Sequence, residues 1–415
     1  MRRGLPDTAP EWQEPANREA IEVELQLITP MFGGGYKTRE VDPLMPIRPA
    51  AIRGHLRFWW RATAGAQYES AEELYQAETA IWGGAATKED KAVGKVAIQV
   101  QLKNAGKPAP YSEIAPRATP REGPLHGYFL FPFQAQRDGT PAATGRQEIA
   151  FRVRLLLHDS LSNEEREAVR NALKAWIAFG GVGARTRRGC GALTVVGSNP
   201  TEWLMPIERT QCQDWLNRLI PVALREGKTV ALPSLVNAQV FLVSPLSDAT
   251  QVWRELGRFW ARFHKGHFDE NYQPMKGSKW NDYRGVLCRL RSGTESLRLA
   301  KPYLGLPIIY QEIRGAKGLC FTGTLEPTES GRMASPVILK PVALSNGKIA
   351  GLIAVLNAQP PTRIRVNNRV YGLEPPSQDP VLKSLGASTM LEAVIEAAKI
   401  HFSVQEDAIR VGGRI

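Results

Sequence analysis

Cysteine is scarce in this chain: Cys190, Cys212, Cys288 and Cys320 are the only four in 415 residues, and none lies close enough to another for a zinc ribbon or a C-x-x-C redox pair. A chain this long can bury a core without covalent staples, so all four are expected to be free thiols. Histidine is nearly as rare, at six, and no H-E-x-x-H motif occurs; His264 and His267 lack further ligands at a suitable spacing. Neither a resident metal nor a cofactor is therefore expected. No apolar run approaches the roughly 20 residues that span a bilayer, and no apolar segment follows Arg2 and Arg3. The expectation is a cytoplasmic protein with no membrane partner.

Acid is missing from two long windows. Residues 43–68 contain no Asp or Glu but carry Arg48, Arg53, Arg57 and Arg61. Residues 168–201 again contain none, against Arg170, Lys174, Arg185, Arg187 and Arg188. The whole chain has 53 Lys and Arg against 41 Asp and Glu, a net charge of +12, which raises the expectation of a polyanionic partner.

The first window reads as a helix. After Pro49, Ile52, Leu56, Trp59 and Trp60 fall on one stripe at about 100° per residue, and Arg53, Arg57 and Arg61 form the stripe beside it. Like charges at i and i+4 repel. No acid within this helix relieves them, which leaves an external anion, a solvated face or salt bridges to another subunit as the alternatives. Trp59 and Trp60 suit core packing better than base stacking. Gly54 weakens a helix interior by roughly 1 kcal/mol compared with alanine, and close approach of another backbone would account for it.

The second window holds the loop Gly-Gly-Val-Gly-Ala-Arg-Thr-Arg-Arg-Gly-Cys-Gly at 180–191. Glycines permit close backbone approach, turns of exposed N–H groups bind anions, and arginine matches phosphate with a planar fork. A P-loop is excluded because Gly189 is followed by Cys190. A dinucleotide fingerprint is excluded by order, since a helix precedes the glycines and a strand follows them. That helix is expected over 163–179, opened by a capping box of Ser162 and Glu165. Gly181, Gly183, Arg185, Thr186, Arg187 and Arg188 become candidate RNA-binding residues, with a helix stop and a solvated basic turn as the plainer alternative.

Element order points to an α+β protein built from two ferredoxin-like (RRM-like) βαββαβ domains with insertions. Ile21, Val23, Leu25 and Leu27 alternate with polar residues in a first strand; 96–102, 150–158 and 192–196 read as further strands, and 71–82 as an extra helix. The second half repeats the plan with a strand at Ala238, Val240 and Leu242, helices over 251–263 and 390–401, and strands at 319–325 and 337–344. The boundary is placed at 205, within a linker region of 198–228, giving domains 1–205 and 206–415. A basic loop at 276–291 adds Lys279 and Arg284 to the RNA-binding candidates.

Thr-Pro-Met-Phe-Gly-Gly-Gly (29–35), Ile-Arg-Pro-Ala-Ala-Ile-Arg-Gly-His-Leu-Arg-Phe-Trp-Trp-Arg-Ala (47–62), the glycine loop at 180–189 and Arg-Met-Ala-Ser-Pro-Val-Ile-Leu-Lys (332–340) resemble the RAMP superfamily of CRISPR-associated proteins. Within it the likeness is greatest to the first-numbered Cmr subunits of type III-B effector complexes. The resemblance implies two ferredoxin-like domains and a noncatalytic RNA-binding subunit used in antiviral defence. The implied partners are guide (CRISPR) RNA, target single-stranded RNA and other Cmr subunits. Related RAMP nucleases cleave RNA without metal, so an endoribonuclease using His55 or His126 remains an alternative, as does a purely structural cap.

Overall fold

The computed structural model describes residues 19–84, 93–115, 129–136, 138–197, 199–224, 232–268, 277–311, 320–329 and 331–412. The first half contains β1 (Ala20–Leu27), α1 (Pro49–Ala62), α2 (Ala71–Trp82), β2 (Val96–Asn104), β3 (Ala150–Leu157), α3 (Asn163–Phe179) and β4 (Leu193–Val196). Its antiparallel sheet runs β2-β3-β1-β4. Period-two alternation sends Ile21, Val23, Leu25 and Leu27 into the core. Glu22 and Glu24 face the other way, directly opposite Arg154 and Arg152 on β3, and Arg152 bonds Glu22 at 3.1 Å and Glu24 at 2.5 Å. Both helices after α1 are stopped and started by local chemistry: Ser70–Glu73 and Ser162–Glu165 form capping boxes at α2 and α3.

After α4 (Arg209–Arg218), the second half supplies β5 (Ser234–Leu246), α5 (Ala249–Lys265), β6 (Val337–Ala343), β7 (Ile349–Asn357), α6 (Met390–Phe402) and β8 (Ile409–Arg410). Its sheet runs β6-β7-β5-β8, again antiparallel. Alternation at Ala238, Val240 and Leu242 suggests a strand with one wet face, but Phe241 and Val243 are buried too. The reason is layering. Ala238, Val240, Ile338, Leu352 and Ala354 face the first half and share a core with α1 and α3, while Phe241, Val243, Leu339, Ile353 and Val355 pack on α5 and α6. Helices α1 and α3 are thus sandwiched between two sheets, and the core runs across residue 205.

A third, five-stranded sheet comes from two excursions out of the second half. Its strands are Ser296–Arg298, Arg369–Glu374, Arg363–Val366, Gly323–Glu326 and Ile308–Tyr310, around Leu297, Leu325, Ile364, Val366 and Leu373. It corrects the cysteine expectation: Cys288 and Cys320 form a disulfide with Cα atoms 5.2 Å apart, because this small sheet folds segments 32 residues apart onto each other. Cys190 and Cys212 are free, and burial pushes both thiols up to about 12. Lys276, His126 and the strand start at Leu319 lie outside the described residues.

Candidate nucleic-acid interface

Helix α1 buries Ile52, Leu56, Trp59 and Trp60, so the two tryptophans belong to the core. The arginine stripe has an internal counter-charge after all. Arg57 Nε and Arg61 Nη1 both donate to Glu78 Oε1, the latter at 2.6 Å, and Glu78 is a nearly buried residue of α2. The relieving acid arrives from the next helix rather than from α1 itself. Two guanidiniums on one carboxylate still leave a positive charge. Arg53 donates to the Trp82 carbonyl at 2.7 Å, and Arg48, at the N-cap, donates to the Gly34 carbonyl. Gly54 is exposed, and an added Cβ would meet nothing within 4 Å. Among the described residues no other part of the chain approaches it, contrary to the explanation expected from its position in the helix.

In the glycine loop the close approach is made by the chain's own backbone. A Cβ at Gly181 would lie 2.6 Å from the Gly191 carbonyl oxygen, one at Gly183 2.7 Å from that of Phe32, and one at Gly191 2.1 Å from that of Val182. Gly183 and Gly191 have φ of +80° and +61°, which L-residues rarely adopt. Val182 N–H donates to Gly191, Ala184 N–H to Phe32, and Gly191 N–H to Pro30. Thr29 completes the knot, donating to the Gly189 carbonyl at 2.6 Å and accepting from Ala192 N–H at 2.8 Å. Gly181 and Gly183 therefore shape the loop instead of offering bare backbone to a ligand. Gly183→Val and Gly191→Ala should each lower stability by about 3 kcal/mol or more, through strained φ and a backbone clash. Urea unfolding of each variant measures this, and midpoints unchanged from wild type would refute the packing account.

The loop arginines divide into two roles. Arg188 donates to the Val337 carbonyl at 2.7 Å, to Ser335 Oγ at 3.1 Å and to the Arg187 carbonyl, and its guanidinium lies 4.6 Å from the ring centre of buried Trp260 on α5. Trp253 Nε1 returns a bond to the Arg188 carbonyl at 2.7 Å. Arg188 is thus a clasp between the halves rather than a side chain of a solvated basic turn. Arg187 also reaches Ser335 but spreads its guanidinium 5.3 Å above the ring of Phe58, a half-buried α1 residue. Burial lowers the Arg187 pKa to about 10, leaving it cationic at neutral pH. Arg185 adopts φ of +58°, and it and Thr186 are half-buried.

The structure brings Arg48, Arg53, Arg57, Arg61 and Arg187 onto α1 and the loop beside it. Lys279 and Arg284 are placed elsewhere: Lys279 N–H caps α5 at the Lys265 carbonyl, and Arg284 is exposed on a helical turn where a basic loop is expected from the sequence. Asp282, in the same stretch, is buried and accepts from the Ala300 and Lys301 N–H groups at 2.8 Å each. His55 stacks on Trp176 with centroids 6.0 Å apart, and burial lowers its pKa. Sequence reasoning missed Phe58, whose contact depends on the distant loop, and Lys340. This lysine is fully buried on β6, donating to the α3 carbonyls of Ile177 at 3.1 Å and, just beyond the helix, Gly180 at 2.8 Å. Among the described residues no group of three or more His, Cys, Asp or Glu could hold a metal ion, and no helix is long and apolar enough to cross a membrane.

Residues 24–194, which run from within β1 through helices α1 to α3 and the glycine loop into the start of β4, match the RAMP superfamily. No curated protein matches the chain. Among solved structures, Cmr1 from Pyrococcus furiosus in its apo form is 19% identical, with 82% of this chain and 88% of that chain covered and a TM-score of 0.50; the mixed α+β fold is of the same kind. A chain of the type III-B Cmr-beta complex bound to cognate target RNA is 11% identical, with 92% and 100% covered and a TM-score of 0.48.

Proposed function

We propose that this chain is a noncatalytic RNA-binding subunit of a type III-B CRISPR (Cmr) effector complex, engaging guide and target RNA beside other Cmr subunits. In this reading 1–205 and 206–415 are two ferredoxin-like domains. The repeated strand order, β2-β3-β1-β4 and β6-β7-β5-β8, with a helix between the first and second and between the third and fourth strands of each set, supports it. The shared core means that neither domain is complete alone.

One observation carries the RNA assignment: Arg187 over Phe58 joins the glycine loop to α1. In this reading two basic windows about a hundred residues apart form one surface, with an aromatic ring at the seam and none of the described residues within 4 Å of a Cβ at Gly54. Phosphates would be held by Arg48, Arg53, Arg57, Arg61, Arg185, Thr186 and Arg187, with Lys279 and Arg284 as separate contacts away from this surface. Such contacts position a strand, while guide–target pairing reads its sequence. Gly181, Gly183 and Arg188 contribute by holding the loop in place.

Gly54 provides the cleanest test, because a side chain there would meet none of the described residues within 4 Å of its Cβ. Gly54→Ala should stabilise the fold by about 1 kcal/mol, and Gly54→Glu should fold normally yet lose most single-stranded RNA binding. Arg187→Ala should reduce the salt slope by about 0.7 for one lost phosphate contact. Titrations of the full chain with single-stranded RNA, single-stranded DNA and duplex DNA over a salt series read both effects. Wild-type affinity in Gly54→Glu would remove α1 from the interface. The RNA should stay intact with or without divalent metal; cutting abolished by His55→Ala would overturn the noncatalytic reading.

A further inference from the structure

Between β1 and α1 the chain holds three large apolar side chains in water: Tyr36 is 79% exposed, Leu44 86% and Met45 50%. Lone exposed apolar residues are common, but these three share one loop and that loop is firmly built. Gly35 N–H donates to the Glu40 carbonyl at 3.0 Å, closing the segment that carries Tyr36. Arg39 directs its guanidinium at the carbonyls of Phe133, Gln134 and Pro141 at 3.1, 2.7 and 3.0 Å. The Asp42 carboxylate accepts from Leu44 and Met45 N–H at 2.9 and 3.0 Å, and Arg146 fixes the Pro43 carbonyl at 3.0 Å. The apolar tips are therefore held outward by a scaffold rather than left out by slack.

This loop is also continuous with the cationic surface. A Cβ added to Gly34 would lie 3.3 Å from Gly183 Cα, and one on Gly33 3.3 Å from Ala184 Cβ, so the loop's base rests on the glycine loop. Arg48, the N-cap of α1, is bonded to the Gly34 carbonyl. The loop's two acids are already engaged, Asp42 in the turn and Glu40 with Lys37 at 3.9 Å. The Lys37 ammonium stands 5.6 Å from the Tyr36 ring centre. An exposed flat ring with a cation over one face, next to the proposed phosphate-binding track, offers a base its other face and the phosphate a counter-charge.

We propose that the 33–48 loop is a nucleobase-binding site, in which Tyr36 stacks on an unpaired base of the RNA and Leu44 and Met45 form an apolar wedge against the neighbouring base. Aromatic platforms and apolar wedges interrupt base stacks in this way, and stacking tolerates any base because each has a π face. The proposal rests on the RNA-binding reading above and adds a base-contacting element to a surface that otherwise touches phosphate.

The test uses the full chain and single-stranded RNA carrying 2-aminopurine at successive positions. Wild type should change the fluorescence of the probe at one position. Tyr36→Ala should abolish that change and weaken binding by about 5- to 150-fold, the range for one stacked base, with the salt slope unaltered because no counterion release is lost. Tyr36→Phe should behave as wild type, and Leu44→Ser with Met45→Ser should reduce both signals. Thermal melts equal to wild type are expected for all of these exposed positions. If Tyr36→Ala binds RNA normally while Gly54→Glu does not, the RNA surface stands and the base site is wrong. If wild type binds no RNA, both readings fall. Normal RNA binding in Tyr36→Ala combined with lost association with partner subunits would make the loop a protein-docking tip and overturn the proposal.

Discussion

Raising the pH from about 6 to about 9 should stabilise the folded protein, and Lys340→Met should remove most of that gain. Lys340 is fully buried in β6, between the second sheet and the C-terminal end of α3, and burial lowers its pKa from 10.5 to about 7. In the unfolded chain the ammonium titrates near its ordinary value, so between about pH 7 and 10.5 the unfolded state binds more protons than the folded one. Stability rises with pH wherever that holds. Below about pH 7 both states are charged and the full desolvation cost applies, relieved by the two carbonyl acceptors and the negative end of the helix. The ceiling on the gain, at 1.36 kcal/mol per pKa unit, is roughly 5 kcal/mol.

Buried Cys190 and Cys212 act in the opposite direction. Their thiols keep protons in the folded state up to about 12, so they erode stability above about pH 9. The informative quantity is therefore the difference between wild type and Lys340→Met, followed by urea unfolding at successive pH values below that point. A pH-independent difference would show that Lys340 is not titrating in this window, and the assignment of its burial cost would fail.

Arg188→Ala should be the most damaging of the loop-arginine substitutions, at about 3 kcal/mol. It removes hydrogen bonds to Val337 and Ser335 and a cation lying on Trp260, and it strands partly buried acceptors at the joint between the halves. Arg188→Lys should not rescue it, because an ammonium cannot span two acceptors while lying flat on an indole. Arg187→Ala should melt closer to wild type, since its main partner is a half-buried ring. Denaturant unfolding of the three variants gives the order, and an Arg188→Ala midpoint within error of wild type would dismiss the clasp.

These expectations show where sequence reasoning stopped. The stripe of Arg53, Arg57 and Arg61 was legible from its period, yet its partner Glu78 was not, because the pairing needs α2 folded back across α1. The glycines of 180–191 were legible as a special backbone, but whether that backbone faces a ligand or its own chain depends on Phe32 and Val182, segments distant or folded back. A usable signal lies in 349–356: Ile-Ala-Gly-Leu-Ile-Ala-Val-Leu is apolar at nearly every position, the pattern of a strand covered on both faces. Read that way, it anticipates a sheet packed between two helical layers.

Local chemistry by itself determined the helix starts at Ser70 and Ser162, the alternating first strand, the core stripe of α1 and the excess of positive charge, since each depends only on neighbours within about a turn or a strand. Tertiary structure alone decided which of those charges are available. Burial, counter-charge and hydrogen-bond acceptors come from residues far away in sequence, so Arg188 became a clasp, Lys340 a buried cation and Cys288 half of a disulfide, while Arg187 was set over Phe58, one helical turn along α1 from exposed Gly54. The physical reason is that a side chain's type sets what it can bind, but the field and space around it are set by packing.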